Sequence, residues 1–478
     1  MHRYLTRACV AAAAGVALST MGVTGASASG AASRAQQAMQ MPLGGRVHAA
    51  ASPGTRLWVK RYNGSGFGAR ALSVAASPTG NTVFVTGEST NQAQTALDYA
   101  TVAYNATTGT QVWAKNYISP GTGSDQANAV AVSPDGKTVF VTGESTGTTS
   151  GYDYATVAYN ATTGTQLWAK RYNGPGNSTD DATSLGVSPT GSTVYVTGYS
   201  VGSTHSYAYA TIAYNAATGT QRWIQRYDAH GGFEDTAYSV AVSSTGTVFV
   251  TGSALTGGAT GQDYTTIAYN PAGTQLWVKN YSGPDNVAGE PDVANAVTAS
   301  PDGKTVFVTG KIYAGATLGY IYGTVAYNAA TGAQVWAEHY HGPCCSSNGA
   351  NAAAVSPDNK TVYVTGSIGD GLDYATVAYN AATGTQVWAK QYHGPGPGFN
   401  DAYSVAASPD SSTVYVTGYS PAANGLFGYA TVAYDAATGT QQWVQRYPNG
   451  QAYSLAVSPT TGTVFVTGTG ATTIAYSG

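Results

Sequence analysis

NAVAVSPDGKTVFVTGESTGTTSGYDYATVAYNATTGTQLWAKRY, residues 128–172, contains four short runs in which apolar residues alternate with polar or small ones. NAVAVS (128–133), TVFVTG (138–143), YATVAYN (154–160) and TQLWAKRY (165–172) have the period of two and the β-branched, aromatic content of strands. PDGK separates the first pair and ATTG the last, with Pro, Asp and Gly placed where tight turns need them. A longer Gly/Ser/Thr loop joins the middle pair. The segment therefore reads as a meander of four antiparallel strands.

The unit recurs along almost the whole chain. All eight tryptophans (Trp58, Trp113, Trp168, Trp223, Trp277, Trp336, Trp388 and Trp443) fall in register about every 55 residues, accompanied within residues 54–478 by eight copies of VTG and eight of T[VI]AY. Four-stranded units repeated in this way are the blades of a β-propeller. No segment sustains the 3.6 period of a helical solenoid. The last unit stops after its third strand, ATTIAYSG (471–478), and an unpaired tryptophan strand, GTRLWVKRY (54–62), precedes the first. Joining them completes a last blade in a 1+3 arrangement and removes an exposed sheet edge. The expectation is an all-β, eight-bladed propeller occupying residues 54–478 as one domain.

Bulk composition excludes several classes. The 478 residues carry only 9% charged side chains and a net charge of −3, with no Lys/Arg block, so nucleic acid is not an expected partner. Residues 1–28 read as a secretory signal, with a basic start, a short apolar run and Ala26-Ser27-Ala28 as the cleavage site. Residues 29–53 read as a flexible leader. No later stretch resembles a membrane span, which predicts a secreted, extracellular monomer with no stable membrane insertion.

The turn between third and fourth strands resembles a known motif. AYNATTGTQVW (103–113) and AYDAATGTQQW (433–443) are similar to the tryptophan-docking motif of quinoprotein-like eight-bladed propellers, Ala-x-Asp-x-x-Thr-Gly followed after three residues by Trp. Only Asp435 keeps the aspartate; Asn105, Asn160, Asn215, Asn270, Asn328 and Asn380 replace it, and asparagine also caps such turns. The chain also looks like the propeller repeats of exported bacterial proteins of unknown role. The resemblance implies that the tryptophan strand is outermost, against the neighbouring blade, and that the SVAVS-type strand is innermost. It is specific for fold and weak for function, because the superfamily holds dehydrogenases and non-catalytic scaffolds alike.

On that geometry the tight turns share one face of the ring, and the long, variable loops share the other. Function tends to sit on variable loops held by a rigid scaffold, so the loop face is the candidate binding face. Asp125, Asp180, Asp235, Asp292, Asn348 and Asp401 recur just before the innermost strands and would ring the channel mouth. Carboxylates and amides suit calcium or a polyhydroxylated ligand, while the simpler reading is that each caps its own loop. Asp98, Asp153, Asp263 and Asp373 recur before the third strands and invite the same two readings. Phe67, Tyr152, Tyr207, Phe233, Phe399 and Phe427 break the repeat and are candidates for stacking on sugars or anchoring a partner. His205, His230, His341 and His393 show no metal-ligand spacing.

Cys344 and Cys345 are adjacent in HGPCCSSNG (341–349) on the same face. Adjacent Cα atoms lie about 3.8 Å apart across a trans peptide, below the usual disulfide range of about 4.4–6.8 Å. An oxidising compartment and the lack of another mature thiol still favour a vicinal bridge.

No His–acid pair is identifiable beside a serine, and the Gly-rich loops lack the Lys-Ser/Thr of a phosphate cradle. The leading expectation is a secreted, non-enzymatic scaffold that binds a glycan, cell-wall polymer or protein through its variable loops. The alternative is a dehydrogenase using pyrroloquinoline quinone (PQQ) and calcium, which the family resemblance and the Cys-Cys pair imply. Against it, every Trp is committed to a docking position, and Arg70 is the main basic residue in the candidate loops. A lyase or glycosidase would need Glu234, Glu290 and Asp370 to converge. No cofactor is predicted, although calcium fits the acidic ring, whose metal occupancy the sequence leaves unknown.

Overall fold

The four runs pair as their pattern dictates. The computed structural model describes residues 51–62, 69–90, 95–203, 206–229, 234–256, 261–284, 290–342, 346–369 and 373–478. Its second unit comprises Gln126–Val132, Thr138–Thr146, Tyr152–Asn160 and Gln166–Tyr172, hydrogen-bonded in that order as one antiparallel sheet. Eight such sheets are present, and the one built on Val293–Ala299 gains a two-residue strand, Ser346–Ser347, parallel to Gly319 and Tyr320. Helix is confined to one turn, Gly315–Leu318, among the described residues.

Eight inner strands stand side by side in sequence order: Arg70–Ala76, Gln126–Val132, Asp180–Val187, Thr236–Val242, Val293–Ala299, Gly349–Val355, Asp401–Ala407 and Ala452–Val457. The eighth packs beside the first, so the ring closes around a central channel. Closure uses the expected strand exchange. Arg56–Arg61 pairs antiparallel with Thr472–Tyr476, Trp58 opposite Ala475, and so completes the eighth blade.

Every inner strand carries a bulge at the same place, between Ala127 and Ala129 in the second blade. The extra residue leaves the ladder and is free to point elsewhere. This geometry explains the glycine of VTG. A Cβ on Gly143 would lie 2.0 Å from the Gln126 carbonyl oxygen, and Gly87 and Gly198 meet the same obstacle from Arg70 and Asp181. Only glycine permits so close a backbone approach.

The tryptophans join blade to blade. Trp168 is 7% exposed; its ring lies 5.9 Å from Phe140 of its own blade and 6.1 Å from Tyr214 of the next. Its indole N–H donates to the Ala216 carbonyl at 2.9 Å. Trp58, Trp113, Trp223, Trp277, Trp336 and Trp388 make the equivalent bond to the following blade. Losing one such buried indole costs about 3–5 kcal/mol. Turn chemistry fits the arrangement. Gly164 takes φ +68° with the Trp113 ring where its Cβ would be, and Asn160 Oδ1 accepts the Thr162 and Thr163 N–H groups at 3.0 Å.

Trp443 differs. Its Nε1 is buried and meets no acceptor among the described residues. Beside it, at the closing seam on the tight-turn face, opens a cleft of about 760 Å³ lined in part by Pro53, Tyr415 and Thr461.

Candidate binding site at the channel mouth

The recurrent acidic positions have a structural task. Asp125 is 1% exposed; one carboxylate oxygen accepts the Ser119 N–H at 3.0 Å, the other the Thr146 N–H at 2.8 Å. Asp180 holds Gly174 and Val201, Asp235 holds Ala229 and Leu255, and Asp292 holds Gly283 and Tyr313 in the same way. Asn348 accepts the Gly369 N–H and donates to the Tyr320 carbonyl. Each aspartate thus ties the loop entering a blade to the hairpin between that blade's second and third strands, whereas Asn348 links that hairpin to the third strand of the preceding blade. Burial pushes the Asp292 carboxyl up to about 6 and raises those of Asp125 and Asp180.

Asp401 lies one residue beyond that ring. Asn400, fully buried, occupies the equivalent position, whereas Asp401 pairs with Tyr419 as Asp181 pairs with Tyr199. The pair Asn400-Asp401 concealed the shift, since either residue type suits the buried position. Asp401 keeps contact with solvent at the channel but is ringed by protein. Burial pushes its carboxyl up to about 7.

The channel mouth is built instead from the residues paired with the position after the VTG glycine, such as Arg70, Gln126, Asp181 and Asp401, and from the bulge residue two places on. Asn128 Nδ2 donates to Asp181 Oδ1 at 2.8 Å and to the Ala182 carbonyl at 2.9 Å on the next inner strand. Gln126 donates to Asn128 Oδ1 at 2.7 Å, and Arg70 reaches Gln126 Oε1 at 3.4 Å. Arg70 also forms an ion pair with Glu88 and engages the Tyr453 hydroxyl. One hydrogen-bonded belt therefore runs from the eighth blade to the third. Burial raises the Glu88 carboxyl, and the facing guanidinium partly offsets this. Asn351 repeats the bridging bond to Asp401 Oδ1 and the Ala402 carbonyl at 2.8 and 3.0 Å. Arg70 was legible in the sequence. Asn128, Asn351 and Tyr453 were not singled out, although their column was the visible signal: it reads Leu, Asn, Thr, Tyr, Asn, Asn, Tyr, Tyr around a nearly invariant strand.

Aromatic residues continue the belt. The Tyr453 ring lies 6.0 Å from Tyr403, which lies 5.6 Å from Tyr419, which meets Phe427 edge-on at 5.2 Å. Phe427 is 40% exposed and Phe399 54%, both on the loop face. Tyr207 packs edge-on against Tyr199 at 5.0 Å, and Tyr152 begins a third strand opposite Thr146. Phe67, Phe233, Cys344, Cys345, His205, His230 and Asp370 lie outside the described residues. Glu290 accepts a hydrogen bond from the Tyr320 hydroxyl at 2.7 Å, Asp153 pairs with Arg171 at 2.8 Å, and His393 meets Asp373 at 2.5 Å.

Residues 98–266 and 262–428 match the PQQ-type repeat family described as outer membrane protein assembly factor BamB, well over half the chain. The chain belongs to this family. Among solved structures it is similar to Kuenenia stuttgartiensis hydrazine synthase at 17% identity, covering 60% of this chain and 73% of that one with a TM-score of 0.43. No curated protein matches it.

The residues at the mouth do not fit the quinone–calcium pair that the sequence resemblance implies. No three His, Cys, Asp or Glu side chains among the described residues are grouped to hold a metal ion. The ring aspartates spend both oxygens on backbone N–H groups. All eight tryptophan rings lie between blades, paired with aromatic residues on both sides, so none forms a platform at the mouth.

Proposed function

We propose that the chain is an exported, non-enzymatic propeller that binds an extracellular glycan, cell-wall polymer or protein through its loop face. The observation that carries this reading is the distribution of exposed apolar side chains. Leu57, Val112, Leu167, Leu276, Val335 and Val387 are exposed at one repeated position of the outer strand, so they belong to the repeat. Ile118, Leu318, Phe399, Leu426 and Phe427 break the repeat, and all lie on the loop face. Irregular exposed aromatics on a rigid frame are what a recognition surface needs. Membership of a family described as an assembly factor agrees with a scaffold. The residues 1–28 signal supplies the route out of the cell. Purified protein, freed of residues 1–28, is to be incubated with cell-wall fractions, soluble polysaccharides and secreted proteins. Retention of one of them, lost on Phe399→Ser/Phe427→Ser, is expected; failure to retain any would sink the reading.

A further inference from the structure

We propose that the arc of the channel mouth from Tyr419 through Tyr453 and Arg70 to Asn128 is a carbohydrate site for a neutral, polyhydroxylated chain. The inference deepens the loop-face reading and rests on it only in placing the ligand on that side of the ring. Two observations converge. Phe427, Tyr419 and Tyr453 lead from the rim into the channel, each at least partly exposed, with Tyr403 packed beneath them. Sugar rings stack on such surfaces through their apolar C–H faces. Continuous with the aromatics runs a row of planar hydrogen-bonding groups: the Asp401 carboxyl, the Arg70 guanidinium and the amides of Gln126 and Asn128. Planar groups of this kind present two polar atoms at once, the spacing that adjacent hydroxyls match.

Charge and backbone then select among ligand classes. Arg70 is neutralised by Glu88, so the arc favours neither a polyanion nor a polycation. The Asp401 carboxyl, raised by burial to about 7, is already hydrogen-bonded to Asn351, Ser367 and Tyr403 and so holds the aromatic and amide parts of the arc together. A peptide adding as a strand would need free carbonyls along an inner strand. Asn128, Thr183, Asn295 and Asn351 already donate to the carbonyls of Ala182, Ala237, Ala350 and Ala402. At the third, fourth, sixth and seventh blades the edge that a peptide would use is therefore occupied.

The test is calorimetric titration of the whole mature protein with the β-1,4-linked hexaoses of glucose, xylose and N-acetylglucosamine. At least one is expected to bind. Tyr453→Ala and Tyr419→Ala should each weaken it about tenfold, Tyr453→Phe should restore most of the affinity, and Asp410→Ala on the opposite face should leave it unchanged. Asp401→Asn, nearly isosteric, should abolish any change in affinity between pH 6 and 8. Unfolding midpoints identify any variant that fails to fold, in which case saturation-transfer contacts between the sugar and tyrosine protons of the wild type decide. Sugar binding that ignores Tyr453→Ala and Tyr419→Ala would overturn the site and leave the loop-face reading intact. The same holds if no hexaose binds while a secreted protein is retained through Phe399 and Phe427. If nothing binds, both fall.

Discussion

Trp443 offers a direct test of what holds the blades together. Trp168→Phe removes an indole N–H bonded at 2.9 Å to a carbonyl that the next blade buries, along with part of a ring that is 7% exposed. The lost bond is worth about 1 kcal/mol net, stranding the Ala216 carbonyl about 1 more, and the lost ring area about another 1. The sum is about 3 kcal/mol. Trp443 has the same ring neighbours, Tyr415 at 5.8 Å and Tyr476 at 6.0 Å, but no acceptor for its N–H. Trp443→Phe should therefore cost about 1 kcal/mol or less, since it also relieves a buried, unpaired donor. Trp223 is the control. It is half-buried like Trp443, yet bonded at 3.0 Å to an exposed carbonyl that water can take over, so Trp223→Phe should fall between the two. Urea unfolding of the three variants gives the costs, provided the slope against denaturant is shared. Equal costs for Trp168→Phe and Trp443→Phe would refute the role assigned to the indole bond.

Further outcomes follow from the same geometry. Gly143→Ala should cost at least about 3 kcal/mol, because its Cβ would collide with the Gln126 carbonyl. Gly136→Ala, at φ +71° but with only an ordinary contact to Pro78 at 3.6 Å, should cost about 1–2 kcal/mol in the same melts. Asp125→Ala should speed amide exchange at Ser119 and Thr146 at least tenfold, whereas Asp125→Asn should keep Thr146 protected and release Ser119, since Asn348 at that position accepts the hairpin N–H of Gly369 and turns its amide NH2 to a carbonyl. Stability should fall as pH rises from about 5 to 8. Folded Asp401 and Asp292 hold their protons to about 7 and about 6, the unfolded carboxyls release theirs near 4, and the folded state therefore binds more protons across this window. Allowing for solvent screening, the loss is about 2 kcal/mol. Asp401→Asn should flatten most of it, and a rise in stability with pH would contradict the assignment.

The fold was legible because the repeat is written in covalent necessities. VTG recurs because a side chain at Gly143 has nowhere to go, and ATTG because a left-handed glycine must lie under the neighbouring indole. Strand order and ring closure follow from those markers and from the pairing of the tryptophan strand, Arg56–Arg61, with Thr472–Tyr476. The site was only half legible. An aspartate before a strand looks the same in sequence whether it faces a channel or turns inward to hold two loops. The regular recurrence of five aspartates and Asn348 outweighs, in the sequence, the less regular column two to three residues later, where Asn128, Asn351 and Tyr453 stand. Nor does alternation reveal a bulge, which decides which residues of an inner strand point toward the axis. Asn400 and Asp401 exchange roles on that one-residue difference.

The central claim is that one face of this ring recognises a ligand and the other only holds the fold together. Hydrogen–deuterium exchange with and without a bound wall fraction or oligosaccharide tests it most directly. Protection is expected in peptides containing Asp401–Ala407, Thr413–Pro421 and Ala452–Val457, with none confined to the turns at 408–412 and 459–462. Protection at those turns and not at the channel mouth would contradict the account.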